Sequence, residues 1–167
     1  MAQETVTGRT NSILADARGT VPEFAVRFTG ALLAAAVAAV HVADQGGISA
    51  LASPDWIGWG YRLVEAGGIL TALILLLPGR VGPGPVRLGP VRLGPAWFGP
   101  ASLGWAAGIL LGVGPFTGYI ASRTVGVPGD PGDVGNWGYW VGTVSLLVEA
   151  ALVLLSAGLL LAARQRR

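Results

Sequence analysis

The chain has 167 residues, 52% of them hydrophobic and only 12% charged, with a mean hydropathy of +0.61. So few polar side chains cannot cover a water-soluble domain of this length, and the composition places the chain in lipid. A net charge of +2 and a pI near 9.7 would speak for nucleic acid in a soluble protein. Here the basic residues sit beside apolar segments, so membrane topology accounts for them and no nucleic acid partner is expected.

In chain order, residues 1–23 come first and mix Glu4, Arg9, Asp16, Arg18 and Glu23 with Thr, Ser and Gly. They carry no apolar core and are expected to form a polar tail, mobile or lying on a surface. Four apolar segments follow, at about 24–44, 57–78, 97–121 and 138–163. Each approximates the roughly 20 residues that carry a helix across about 30 Å of hydrocarbon. The first, with its Ala-rich ALLAAAVAAVHVA, has features of a signal peptide. A leader ending there would be unusually long, so a retained span is expected. The sequence therefore predicts an all-α, four-helix transmembrane bundle occupying residues 24–163.

Positively charged flanks stay on the cytoplasmic side of a membrane, and this orients the spans. The loop at 79–96 carries Arg80, Arg87 and Arg92 without an acid, and the tail at 164–167 carries Arg164, Arg166 and Arg167. Both are expected inside, with both termini cytoplasmic, in a multi-pass protein of the plasma membrane. The loops holding Asp55 and holding Asp130 and Asp133 are then outside, with Asp44 at the edge of the first. Trp56, Trp59, Trp137, Tyr139 and Trp140 gather at that outer boundary, the level amphipathic rings favour. The 79–96 loop also contains VRLGP twice in succession, at 86–90 and 91–95, and its Pro and Gly spacing favours extended or turn conformations over helix.

Within the third span, Gly104, Gly108 and Gly112 recur every four residues and share one face, an arrangement that lets another helix approach closely. Pro115 removes a backbone hydrogen bond, and a kink near 111–115 is expected. The segment that leaves this span, ASRTVGVPGDPGDVGNWGYW, combines turn residues with Ser122, Arg123, Thr124, Asp130, Asp133 and Trp137. A bare connector has no need of Arg123 at its start, so an ordered cap tied down by Arg123 and Trp137 is expected over the helix ends.

Ionisable side chains inside a membrane each cost about 2.5–3.5 kcal/mol on insertion scales and tend to have a purpose. Five are candidates: His41, Arg62, Glu65, Arg123 and Glu149. At 1.5 Å per residue all five fall in the outer half of one bundle. Two readings stand for this polar cluster. In one, the arginines neutralise the carboxylates and the network fixes helix register. In the other, an outward-opening pocket uses His41 and a carboxylate as proton carriers or ligands, and Arg123 to recognise an anion. Metal and cofactor content stay open: no metal-spacing motif such as HxxxH is present, and His41 is the only histidine. No cysteine provides a thiolate, and no GxSxG, GxxxxGK(S/T) or GxGxxG motif supports hydrolase or nucleotide chemistry.

His41 ending the first span, a Glu in the second, GYIASRTVGVPGD, VGNWG and SLLVEAALVLL together resemble a group of four-helix integral membrane proteins common in actinobacteria. The resemblance covers residues 28–163, with Ser122, Arg123, Thr124, Gly126, Pro128 and Glu149 its most specific part. A looser resemblance is to DoxX-type proteins, which also place a Glu in the second span. Both imply fold and membrane location alone. Function then divides between a non-enzymatic accessory or scaffold subunit, binding other membrane proteins or itself, and a small-molecule, proton or metal site serving transport or membrane redox chemistry.

Overall fold

The computed structural model describes the backbone over residues 2–47, 56–77, 86–88, 91–93, 100–129 and 131–165. Side chains are described over 23–47, 56–77, 102–129 and 132–165. Asp55, Asp130, Arg80, Arg166 and Arg167 lie outside the described residues, as do the side chains of Arg87 and Arg92.

Four helices make the bundle: α1 (Ala2–Asp44), α2 (Trp56–Leu76), α3 (Pro100–Thr124) and α4 (Trp140–Gln165). Stretches of 22, 21, 23 and 26 residues within them are long and apolar enough to cross a membrane. The bundle is all-α and multi-pass. The polar segment before Glu23, expected as a separate tail, continues α1 as helix from Ala2. At 1.5 Å per residue the 43-residue helix is about 64 Å long, roughly twice the hydrocarbon thickness. Between α2 and α3 the duplicated VRLGP folds on itself: β1 (Val86–Leu88) and β2 (Val91–Leu93) pair antiparallel, with Arg87 opposite Arg92.

Small residues set the helix spacing. Along α1, Ala31, Ala34, Val37 and Ala38 are buried and present a flat face to α2 and α4. Gly68 on α2 rests against that face so closely that a Cβ there would lie 2.7 Å from the Ala34 carbonyl oxygen. The α3 glycines close the remaining contacts within the same chain. Gly104 meets Leu75 and Ile74 of α2, Gly108 meets Ser156 of α4, and Gly112 meets Val153 and the Glu149 carbonyl. Trp105, fully buried beside Ala31 and Leu75, fills the space opposite Gly30. Outward-facing leucines such as Leu63, Leu110 and Leu154, each about three-quarters exposed, supply the lipid-facing surface.

α3 runs through Pro115 as one helix, with the Thr117 hydroxyl donating to the carbonyls of Val113 and Gly114 at 2.8 Å each. At the same end of the bundle as the hairpin, Arg27 is buried and its Nε donates to the Leu75 carbonyl, 2.8 Å away. This closes the C-terminal turn of α2, where cations are favoured. The residue sits inside the first span and is a sixth buried or membrane-embedded ionisable group beside the five candidates.

The glycine contacts carry a direct expectation. Gly112→Ala drives a Cβ to 2.8 Å from the Glu149 carbonyl oxygen and should cost about 1–3 kcal/mol. Gly158→Ala, with nothing within 4 Å, should leave stability unchanged or slightly raised. Thermal unfolding of the two purified variants in one detergent reads the difference directly.

Candidate functional site

The five candidate residues do not form one network. Arg123 pairs with Asp133, donates to Ser122 Oγ at 3.3 Å, and lies 4.6 Å from the Tyr119 ring centroid. Arg62 sits 5.2 Å over the Trp59 ring. Glu65, buried on α2, accepts a hydrogen bond from the Gln45 side chain. Neither arginine reaches Glu65 or Glu149, the pairing expected for a register-fixing network.

His41 and Glu149 do meet, and helix geometry brings them together. Side chains on a helix lean toward its N-terminus. Because α1 and α4 are antiparallel, His41 near the end of α1 reaches down into the bundle. Glu149, nine residues into α4, reaches back up. His41 Nδ1 lies 2.9 Å from the Val37 carbonyl oxygen and must carry a hydrogen to bond it, which leaves Nε2 facing Glu149 Oε1 at 3.7 Å. Ser145 Oγ donates to the same carboxylate oxygen at 2.5 Å. Glu149 is 1% exposed and its Oε2 is buried without a hydrogen-bond partner. With one proton shared between them, His41 and Glu149 are either both neutral or an ion pair, and no isolated carboxylate is left in the interior.

Above this pair the chain forms a cap. Gly126, in the left-handed region at φ +80°, turns the backbone out of α3. Three ties then hold residues 125–139: the Arg123–Asp133 ion pair, the Gly135 amide on the Arg123 carbonyl at 2.9 Å, and Trp56 Nε1 on the Pro128 carbonyl at 2.9 Å. Trp137 is half-exposed and meets the Tyr119 ring edge-on at 6.3 Å between centroids. Ser122 and Thr124 donate back to carbonyls of their own helix, Tyr119 and Ile120 respectively, and leave the cap to Arg123. The Trp56 contact spans 72 residues and had no local signal in the sequence beyond interfacial aromatic placement.

Beneath the cap lies a cavity of about 870 Å³ between α2, α3 and the start of α4. Its polar end holds His41, Asp44, Tyr61, Arg123, Asp133 and Tyr139. Tyr61 donates to Asp44 at 2.5 Å. The same carboxylate raises the phenol pKa of Tyr139 above the usual value, with lesser help from burial. The deeper lining, including Leu70, Ile74 and Leu110, is apolar. From Ile57 to Ile74 the lining follows α2 for about 25 Å. Leu63, Leu70 and Leu110 are also well exposed on the sides of their helices, so the cavity is a cleft that opens laterally between α2 and α3. Ser145 lines it too, and with His41 connects it to the buried Glu149.

Among the described residues no three His, Asp or Glu side chains stand together as metal ligands. No family model matches the sequence, and neither a curated protein nor a solved structure does.

His41→Ala leaves Glu149 facing only Ser145 in the bundle interior and should cost about 1–3 kcal/mol. Glu149→Gln added to it removes the stranded carboxylate and should recover part of that loss. Equilibrium unfolding of wild type, both single variants and the double variant in one detergent measures the coupling, and strictly additive losses would show that the two residues do not interact.

Proposed function

We propose that this chain binds a small amphiphilic molecule in the cleft beneath its cap, as a multi-pass protein of the plasma membrane with the capped end outside the cell. The cleft carries this reading: about 870 Å³, polar at one end, apolar along about 25 Å, and open sideways at a depth where lipid would be. Ligand pockets are commonly concave and mostly apolar with a few convergent polar groups, and this one has that make-up. A molecule with a polar head and an apolar tail can enter from the bilayer without crossing the cap. The His41–Glu149 pair at the back supplies a proton that the occupant can exchange, which suits transport or membrane redox chemistry.

An accessory subunit would use the glycine seam of α3 and its flanks to bind a partner membrane protein. Those glycines pack against α2 and α4 of the same chain, so the seam offers no face to a partner helix. The orientation rests on the arginine flanks, Arg80, Arg87 and Arg92 in one connection and Arg164, Arg166 and Arg167 at the C-terminus.

Native mass spectrometry of the protein extracted in mild detergent is expected to detect a bound amphiphile. Gly114→Phe should abolish it while the fold persists, since Gly114 lines the cleft and its side-chain position has nothing within 4 Å. Equal ligand content in wild type and variant would exclude the cleft as the binding site. Orientation is tested separately by single cysteines, because the chain contains none of its own. A membrane-impermeant maleimide should label Val134→Cys in intact cells, and Gln165→Cys only after lysis.

A further inference from the structure

The charges around the cleft narrow the class of its occupant. Among the described residues, the capped half of the bundle contains four carboxylates, Asp44, Glu65, Asp133 and Glu149, against two guanidinium groups, Arg62 and Arg123. Arg123 is engaged by Asp133 and stacks on Tyr119, and Arg62 lies over Trp59 away from the cleft lining. Glu149 has His41, and Glu65 has Gln45. Asp44 is different. It lines the polar end, accepts a hydrogen bond from the Tyr61 hydroxyl, and has no cationic partner among the described residues.

The walls around Asp44 are aromatic. Trp56, Tyr61, Tyr119 and Tyr139 all line the cavity, and the His41 ring lies 5.7 Å from that of Tyr61. Aromatic faces carry negative charge and attract ammonium groups, most strongly where water is excluded. A carboxylate without a cation, set among aromatic rings, favours a positive head and disfavours an anionic one, which would face both Asp44 and Asp133.

We infer that the cleft binds a cationic amphiphile, an amine or quaternary ammonium whose head sits against Asp44 and the aromatic wall and whose apolar tail lies between α2 and α3. The inference rests on the amphiphile reading and adds the sign of the head. The same chemistry is offered by a free long-chain amine and by the ammonium of a lipid headgroup.

The test uses the full chain in nanodiscs of phosphatidylglycerol, with three probes of equal tail length below their micellar concentrations: dodecyltrimethylammonium, dodecanol and dodecyl sulfate. Tryptophan fluorescence, corrected against empty discs, reports occupancy beside Trp56. Dodecyltrimethylammonium should saturate the site with at least about tenfold tighter binding than dodecanol, as expected for about one favourable charge contact. Asp44→Asn should remove that preference. If phosphatidylcholine added to the discs competes, the lipid headgroup is the source; if it does not, a free amphiphile is. Dodecanol or dodecyl sulfate binding as tightly as the ammonium, or an unchanged preference in Asp44→Asn, would overturn the cationic assignment and leave the amphiphile reading standing. No saturable binding of any probe would overturn both. Should Asp44→Asn fail to fold, the ranking of the three probes on the wild type decides alone.

Discussion

A carboxylate buried within a membrane bundle is the constraint around which this structure is arranged. Glu149 is 1% exposed and about 14 Å into α4, far from either end of that helix. An isolated ionised carboxylate there would cost far more than any single contact returns, so a proton or a partner must be at hand. The fold provides both through opposed helix directions: His41 leans inward from α1, and Glu149 and Ser145 lie one turn apart on α4. α3 must also pass directly beside the Glu149 backbone, which only a glycine at 112 allows.

The same packing explains why the cleft lies where it does. Gly68 seats α2 on α1, while Gly108 and Gly112 seat α3 on α4, giving two tightly joined helix pairs. Between α2 and α3, Gly104 closes the gap against Ile74 and Leu75 at the end away from the cap. Toward the cap, Gly114, Pro115 and Gly118 present little side chain to α2, and the helices leave space. Small residues thus close the bundle at one end and hold it open at the other.

The cap converts this opening into a site with a defined polar end. Arg123 fixes Asp133, and Trp56 fixes Pro128, so two helices anchor one segment. Tyr119 packs against Gly142, linking the cap region to α4 one turn before Ser145. The head of the cleft and the buried His41–Glu149 pair therefore share supporting helices.

The number, length and apolar character of the helices were legible in the sequence, because span length in lipid is a local property set by hydrocarbon thickness. The helix following the first residues was not, since its first turns carry no apolar periodicity to read. Legible too were the rare ionisable residues, the glycine face of α3 and an anchored role for Arg123, each visible as a residue type that lipid tolerates poorly or a spacing that helices convert into a face. Their pairing was not. Which carboxylate Arg123 meets, and that Glu149 turns to His41 and not to an arginine, depends on helix direction and stagger, which one-dimensional spacing does not encode. The cleft itself is a difference between two packing distances, and those exist only once all four helices are assembled.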